Sequence, residues 1–583
     1  MSASGLVRSP PAAGPESALE RPWLRHYGAI PHQIEYPAIS LYEAVARSVA
    51  RTPDAIAWDF LGTRCSYREL LVDIDRCADA LAALGLARGQ SLLIAMPTTP
   101  QGVIAFYAAN KLGAVPALIH PLSTTAEIEH YLDASGAEIA LALDAFYPQM
   151  AAARPRQGLR HIVVARIGDH LSMPRRLGFW LAKGRKIGAV PREPRVRPWR
   201  QLMRARHPAA PPAVGGAHDR AAILFSGGTT GLPKGIVLSN RNFIAEGMQA
   251  AAWGRISGGD SILAILPIFH GFGLGVCVNA ALMAGATSIL VPSFDAAGVA
   301  RLIRRKRPSI VVGVPTLYDA LGRNPALAGI DLSFLRAAFC GADTLPRAVM
   351  ERFEALVRAG GGDVRLLEGY GLTEAVTAIM AMPPGQYREH SIGVPFPDMQ
   401  AMICAPGTDE AVPVGTVGEI CISGPAVMPG YLDDPEATAR TLRVHADGRT
   451  WLHTGDLGRC DADGYFYFEV RIKRMIKSSG FNVYPAQVEA LLLEHPLVAA
   501  ACVVGVPDPS QVERVKAYVV LRNPTLAAPP LEQALIAHCR ERLLKWSCPR
   551  EIEFRRQLPL TRVGKVDYRA LQREHEGSTQ APA

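Results

Sequence analysis

Residues Ala221–Asn240 read AAILFSGGTTGLPKGIVLSN, two short apolar runs around a loop of Gly, Ser, Thr and one Lys. The runs Ala222–Phe225 and Ile236–Leu238 have the length and β-branched content of strands. Between them Gly227, Gly228, Gly231 and Gly235 open backbone turns that other residues resist. The N–H groups of such a backbone form an anion nest, Ser226, Thr229 and Thr230 add hydroxyl donors, and Lys234 adds a positive charge. Together they suit a polyphosphate. A Walker loop runs from a strand into a helix. Here Pro233 precedes the Lys and a second strand-like run follows, so a Walker-type machine is not expected. The competing reading is a plain Gly-rich hairpin turn.

This loop resembles the phosphate loop of adenylate-forming enzymes, the superfamily of acyl-CoA synthetases, peptide-synthetase adenylation domains and firefly-type luciferases. Gly227 stands where that pattern usually has Ser, as it also does in bacterial long-chain fatty-acid–CoA ligases. The resemblance implies that Ser226, Gly227, Gly228, Thr229, Thr230, Gly231 and Lys234 bind the β- and γ-phosphates of ATP.

Composition bounds the alternatives. At 583 residues, 49% hydrophobic and 20% charged, the chain is globular and too long for one core, so two to four domains are expected. Its ten Cys include no CxxC pair, which argues against a structural zinc site or a disulfide framework and fits a reduced cytosol. Residues 1–20 are rich in Pro, Ala and Ser without an apolar core, and read as a mobile tail rather than a signal peptide. No run of about 18 uncharged apolar residues suggests a membrane span. The formal charge is +9, but eleven basic residues against Glu193 alone place +10 between Arg175 and Arg206. The remainder is near neutral, so a nucleic-acid binder is not indicated. Within that segment Met173–Val190 mixes Leu177, Phe179, Trp180 and Leu181 with five cations. It reads either as a basic amphipathic helix on an anionic membrane or as a solvated insertion. A cytoplasmic protein, peripheral on the inner membrane surface in the first reading, is the expectation.

Outward from the loop, Ser40–Ala50 has helical periodicity, Ala55–Trp58 and Arg64–Tyr67 form a strand pair, and a helix spans Tyr67–Leu84. A strand at Ser91–Met96 and a helix near Gly102–Leu112 continue a wound α/β pattern. Ile310–Pro315 and Ala337–Pro346 read as strand-then-loop units. RPWLRHY (Arg21–Tyr27) and SGFNVYP (Ser479–Pro485) resemble bacterial long-chain fatty-acid–CoA ligases. The fold expected from the resemblance is α/β (α+β): a large multi-subdomain N-terminal adenylate-forming domain over 21–471, with a basic insertion at 173–206, and a small mobile C-terminal α+β lid over 472–571. Tails occupy 1–20 and 572–583.

The remaining motifs follow in the family's order. LAILPIFHGFGLG (Leu263–Gly275) resembles the stretch lining the carboxylate pocket, where Gly271, Gly273 and Gly275 leave room for an apolar chain. His270 occupies the place beside Phe269 where α-amino-acid adenylating domains carry an Asp. An unpaired buried ammonium is costly, so an amino-acid substrate is disfavoured. His270 either orients the acyl group or is a packed residue at the pocket rim. By resemblance Gly313 to Tyr318 line the acyl pocket, and Gly341, Ala342 and Asp343 lie near adenine, although the family often has Ala-Pro there. In EGYGLTE (Glu368–Glu374), Tyr370 stacks on adenine, Thr373 donates to the α-phosphate and Glu374 is a hard ligand for Mg²⁺. Asp456, in the family's TGD motif, accepts from ribose hydroxyls, and Arg471 bridges ribose and phosphate. Lys473 is the hinge and Arg474 stands where Asp is common. Ser479 and Gly480 frame the pantetheine tunnel, and Lys477 meets the phosphates of coenzyme A or is a surface residue. Lys565 matches the catalytic lysine, against the reading of an exposed tail Lys.

The resemblance implies two steps: carboxylate attack on the α-phosphorus of ATP, then thiol attack on the acyl-adenylate after the small domain rotates. The leading expectation is a medium- or long-chain fatty-acid–CoA ligase using ATP, Mg²⁺ and coenzyme A. Alternatives are an aryl- or other carboxylate–CoA ligase, an enzyme that hands its acyl group to a carrier protein, a membrane-docked acyl-binding protein with a decayed site, and luciferase-like oxidation. A homodimer is left open.

Overall fold

The computed structural model describes residues 21–226, 233–478, 481–508, 512–543, 545–561 and 566–579. Gly227, Gly228, Thr229, Thr230, Gly231, Ser479, Gly480 and Lys565 lie outside the described residues, as do the side chains of Ser226 and Lys473.

The described residues form four sheets. The first holds eight strands in the order 430–431, 234–239, 220–226, 115–118, 91–95, 139–143, 161–165 and 196–198. From 220–226 onward they are parallel, and Lys234–Ser239 runs antiparallel to Arg220–Ser226. The Gly-rich loop thus joins two antiparallel strands. Ser239 ends the second strand and starts the helix Asn240–Trp253, accepting from the Asn242 N–H while Asn242 returns its side chain to the Ser239 N–H. This reciprocal cap satisfies donors that a helix start leaves orphaned.

The second sheet orders nine strands as 394–395, 378–381, 366–371, 337–340, 310–313, 261–264, 287–290, 56–60 and 63–66. Its six central strands are parallel and almost wholly apolar, as expected of a sheet covered on both faces. Helices Leu41–Arg51, Tyr67–Ala83, Pro100–Lys111 and Asn240–Trp253 contribute to the core shared by the two sheets. The third sheet is antiparallel, built from 400–404, 418–423, 450–460, 442–444 and 466–471. The fourth combines 481–483, 476–478, 512–521, 498–508 and 551–555, with helices Pro485–Glu494 and Pro529–Arg540 on its own core.

The fold is therefore the mixed α/β arrangement expected, with two departures. A helix, Tyr568–Thr579, occupies part of the stretch expected to be a tail from 572. It is held by buried Leu571, whose carbonyl accepts from Tyr518 Oη at 3.2 Å, and by the Arg555–Glu574 ion pair at 2.9 Å. After Ile310–Gly313 the chain enters the helix Pro315–Gly322 at once, with Pro at its first position, rather than a loop.

Candidate active site

In a wound sheet, ligands gather beyond the carboxyl ends of parallel strands. Four neighbouring strands of the second sheet end at the proposed site: 261–264 leads to His270, 310–313 ends on Gly313, 337–340 leads to Gly341 and Ala342, and 366–371 holds Tyr370. Gly341 is tightly seated, for a Cβ there would come within 3.3 Å of the Phe272 ring and 3.2 Å of the Gly369 carbonyl. Ala342 has φ +72°, a left-handed conformation unusual for a residue with a side chain.

After Gly371 the chain makes a compressed turn. Thr373–Ala375 is one turn of 3₁₀ helix, and Val376 follows at φ +64°. A β-branched residue in that region is a true outlier, and such strain concentrates at functional sites. The turn presses against the segment Phe272–Ala280, which is a π-helix. A Cβ on Gly271 would lie 1.7 Å from the Val376 carbonyl oxygen, and one on Gly273 2.3 Å from that of Pro267. At both positions the missing side chain admits a close backbone approach. A Cβ on Gly275 would lie 2.7 Å from Glu246 Oε2. Tyr318 is a core residue in this structure. Its side chain is fully buried in the core packed on the helix Arg347–Ala359, with Oη 2.7 Å from the Phe339 carbonyl and the ring edge-on to Phe353. It braces the 310–313 and 337–340 strands. His270 accepts the Phe272 N–H on Nδ1 at 3.2 Å, which steadies the start of the π-helix.

The third sheet supplies Asp456 and Arg471 as register partners on adjacent strands. Tyr370 Oη donates to Asp456 Oδ2 at 2.7 Å, and Arg471 Nε meets Asp456 Oδ1 at 3.2 Å. Tyr370, Asp456 and Arg471, 101 positions apart in sequence from first to last, thus form one cluster. Burial pushes the Tyr370 phenol well above its ordinary range, and the Asp456 carboxylate adds to the shift.

Two residues of the site carried no signal in the sequence. Tyr431 Oη donates to Glu374 Oε1 at 3.0 Å, and Asp434 Oδ2 pairs with Lys234 Nζ at 3.0 Å. Lys234 also stands over the Tyr431 ring, 5.1 Å from its centroid. Both residues belong to a stretch brought in by backbone pairing. Asn242 donates to the Pro425 and Val427 carbonyls, Met428 N–H to that of Glu374, and Leu432 N–H to that of Gly235. The strand Lys234–Ser239 is thereby tied to Glu374 through the stretch 428–432. Burial raises the Glu374 carboxyl above the usual range, while the Tyr431 bond and the Arg471 charge oppose the rise. A buried carboxylate of this kind, among oxygen donors, fits Mg²⁺.

In the C-terminal sheet, Lys477 is exposed on the strand Ile476–Ser478, and its N–H donates to Glu513 Oε2 at 2.7 Å. Arg474 is paired with Glu489 and stands over the Tyr568 ring, 5.1 Å from its centroid.

The AMP-binding enzyme family matches residues 45–432, and the AMP-binding enzyme C-terminal domain matches residues 487–565. A long-chain-fatty-acid–CoA ligase of Bacillus subtilis is 34% identical over 95% of this chain and 98% of its own length. A feruloyl-CoA synthase of Amycolatopsis is 32% identical over 89% and 96%. Among solved structures, ATP-bound MatB from Rhodopseudomonas palustris superposes with a TM-score of 0.80 at 26% identity, covering 93% of this chain and 100% of that one.

Proposed function

The chain belongs to the AMP-binding enzyme family, whose members here are acid–thiol ligases working through an acyl-adenylate and coenzyme A, and we propose that its acid is a medium- or long-chain fatty acid. The observation that carries this choice is the near full-length similarity to ligases named for long-chain fatty acids, at 34% and 31% identity. His270 beside Phe269 agrees with it, since no acid is offered to a substrate ammonium.

In the proposed mechanism Lys234 and the Gly-rich loop hold the β- and γ-phosphates. Tyr370 stacks on adenine, Asp456 accepts from the ribose, and Arg471 bridges ribose and phosphate. Thr373 donates to the α-phosphate, and Gly341 and Ala342 give backbone close to the base. Glu374 would hold Mg²⁺, which neutralises phosphate charge when bound. Lys565 brings the carboxylate and α-phosphate together by cancelling their charges. Release of pyrophosphate then lets the segment after Arg471 pivot at Lys473, carrying Lys565 away and presenting Ser479, Gly480 and Lys477 to coenzyme A. The proposed boundary between the two moving parts is therefore 471/472.

No described helix is long and apolar enough to cross a membrane. The helix Met173–Ala182 buries none of its residues and exposes Met173, Leu177, Trp180 and Leu181 beside Arg175 and Arg176. We propose that this face rests on anionic lipid, where a fatty acid resides.

The test is coenzyme A-dependent AMP release across saturated fatty acids and aromatic acids, with pyrophosphate followed in parallel. Turnover that peaks with long chains supports the proposal. A peak with hydroxycinnamic or aminobenzoic acids would replace it by the aryl reading, which the feruloyl-CoA synthase relative favours. Pyrophosphate release without coenzyme A-dependent turnover would point to a carrier protein as acceptor.

A further inference from the structure

We infer that Asp409, His445 and His453 form a binding site for one divalent cation of the zinc type, separate from the nucleotide site. The cysteine pattern argues against a structural zinc site, but this ligand set is nitrogen and oxygen. His445 lies just after the strand Leu442–Val444, and His453 lies within Thr450–Cys460. Their Nε2 atoms face each other at 3.0 Å. Asp409 Oδ1 completes a triangle, 3.4 Å from His453 Nε2 and 3.7 Å from His445 Nε2. Tetrahedral zinc with bonds of about 2.0–2.1 Å separates its ligand atoms by about 3.4 Å. The three measured edges straddle that value.

Orientation favours the lone pair of His453 Nε2 pointing inward, where the proton it now meets on His445 Nε2 would give way to a cation. Glu419 Oε2 lies 3.0 Å from His453 Nδ1, and Glu419 Oε1 accepts the Gly455 N–H at 2.9 Å. A carboxylate there requires the proton on Nδ1 and leaves Nε2 of His453 as an acceptor. This is the carboxylate–histidine–metal relay that fixes tautomer and ring angle in metal sites. His445 is held by stacking on buried Trp451, with centroids 5.5 Å apart and planes at 25°. Both imidazoles are almost fully buried, at 4% and 2% side-chain exposure, whereas Asp409 is 45% exposed. The open face on the Asp409 side provides an entry path and room for a water in the fourth position. Two imidazoles and one carboxylate select borderline cations over Mg²⁺. Arg443 is the competitor, with Nη1 3.3 Å from Asp409 Oδ1.

A bound ion would pin the turn around Asp409 to the hairpin that carries Asp456, since His453 is three positions before Asp456 and Glu419 grips the Gly455 N–H between them. The site would then be a staple for the ribose-binding edge.

The experiment is titration of the full chain, stripped with chelator and free of nucleotide, with Co²⁺ followed by Zn²⁺. We expect one Co²⁺ per chain with visible ligand-field bands, displaced by Zn²⁺ and insensitive to excess Mg²⁺. His445→Gln and the surface change Asp409→Asn should each weaken binding about tenfold or more, and Arg443→Gln should tighten it. Failure of the wild-type chain to bind one equivalent, or binding that both ligand variants leave unchanged, overturns the inference.

Discussion

Tyr431 donates its phenolic proton to Glu374 across 3.0 Å, joining residues 57 positions apart. The same ring lies under the Lys234 ammonium. One side chain thereby touches the proposed metal carboxylate and the proposed phosphate-binding cation. Its hydroxyl stabilises the charged form of a carboxyl that burial pushes the other way.

Tyr431→Phe should therefore raise the Glu374 pKa further. A carboxyl with a raised pKa stays protonated to higher pH, so the acid limb of the adenylation rate should move upward. A hydrogen bond to a charged group contributes about 1.5–3 kcal/mol, which corresponds to roughly a 10- to 100-fold rise in the Mg²⁺ needed for half-maximal pyrophosphate release at neutral pH. Pyrophosphate release measured against pH and Mg²⁺ checks both shifts.

Lys565→Ala should lower adenylation by about 10²-fold or more, the scale of losing a charge-stabilising donor, yet spare thioester formation from supplied acyl-AMP. Single-turnover assays of the two half-reactions separate the effects. Equal loss in both would remove Lys565 from its proposed role.

Much of this architecture is legible in the sequence, because apolar runs and Gly-rich turns are local signals. The strands 220–226 and 234–239, the helix after Ser66 and the strand at Ser91 all follow from neighbours in the chain. The site is legible only where a motif is contiguous, as in Glu368–Glu374. Tyr431 and Asp434 arrive through the antiparallel pairing of Gly430–Tyr431 with Ile236–Val237. A register of that kind is a tertiary fact. The close approach at glycines 271 and 273 is hidden for a related reason: a missing side chain can serve a ligand, a neighbouring backbone or both, and the backbone it meets is set by packing.

Glu246 is a fully buried carboxyl, and burial pushes its pKa up to about 8 against the lowering pull of the Ala378 backbone N–H. Its native form is neutral where the unfolded chain would ionise. Stability is therefore fully present below about pH 4.5 and is lost as pH rises through about 8. Glu246→Gln should flatten this dependence, so that melting temperatures of variant and wild type diverge between pH 5 and about 8 in favour of the variant. Parallel curves would show that Glu246 is not the group responsible.

Gly271→Ala places a methyl 1.7 Å from the Val376 carbonyl oxygen. Neither backbone can yield without moving the Glu374 turn. The variant should melt several degrees lower, in line with a cost of about 1–3 kcal/mol for overpacking, and should lose adenylation more than its melting point alone explains. Calorimetry with pyrophosphate assays measures both.

Replacing Leu177 and Trp180 with Ser should reduce sedimentation with vesicles of anionic lipid while leaving turnover on a soluble short-chain acid intact. The residual binding should fall further with salt, since a basic residue near such a surface contributes about 1 kcal/mol and is screened over roughly 10 Å. Undiminished binding by the double variant would exclude this helix as the contact.

Arg471 is anchored by Asp456 in the third sheet, and Arg474 is anchored by Glu489 on the helix Pro485–Glu494. Three peptide links separate two moorings on opposite sides of the proposed hinge. Fully stretched they reach about 10 Å. On so short a leash the small domain can swivel about its attachment but cannot travel, so the proposed exchange of one catalytic face for another would be a turn in place. A longer tether at this point would let the domain drift from the adenylate between steps, and the reactive intermediate would meet water before it met a thiol.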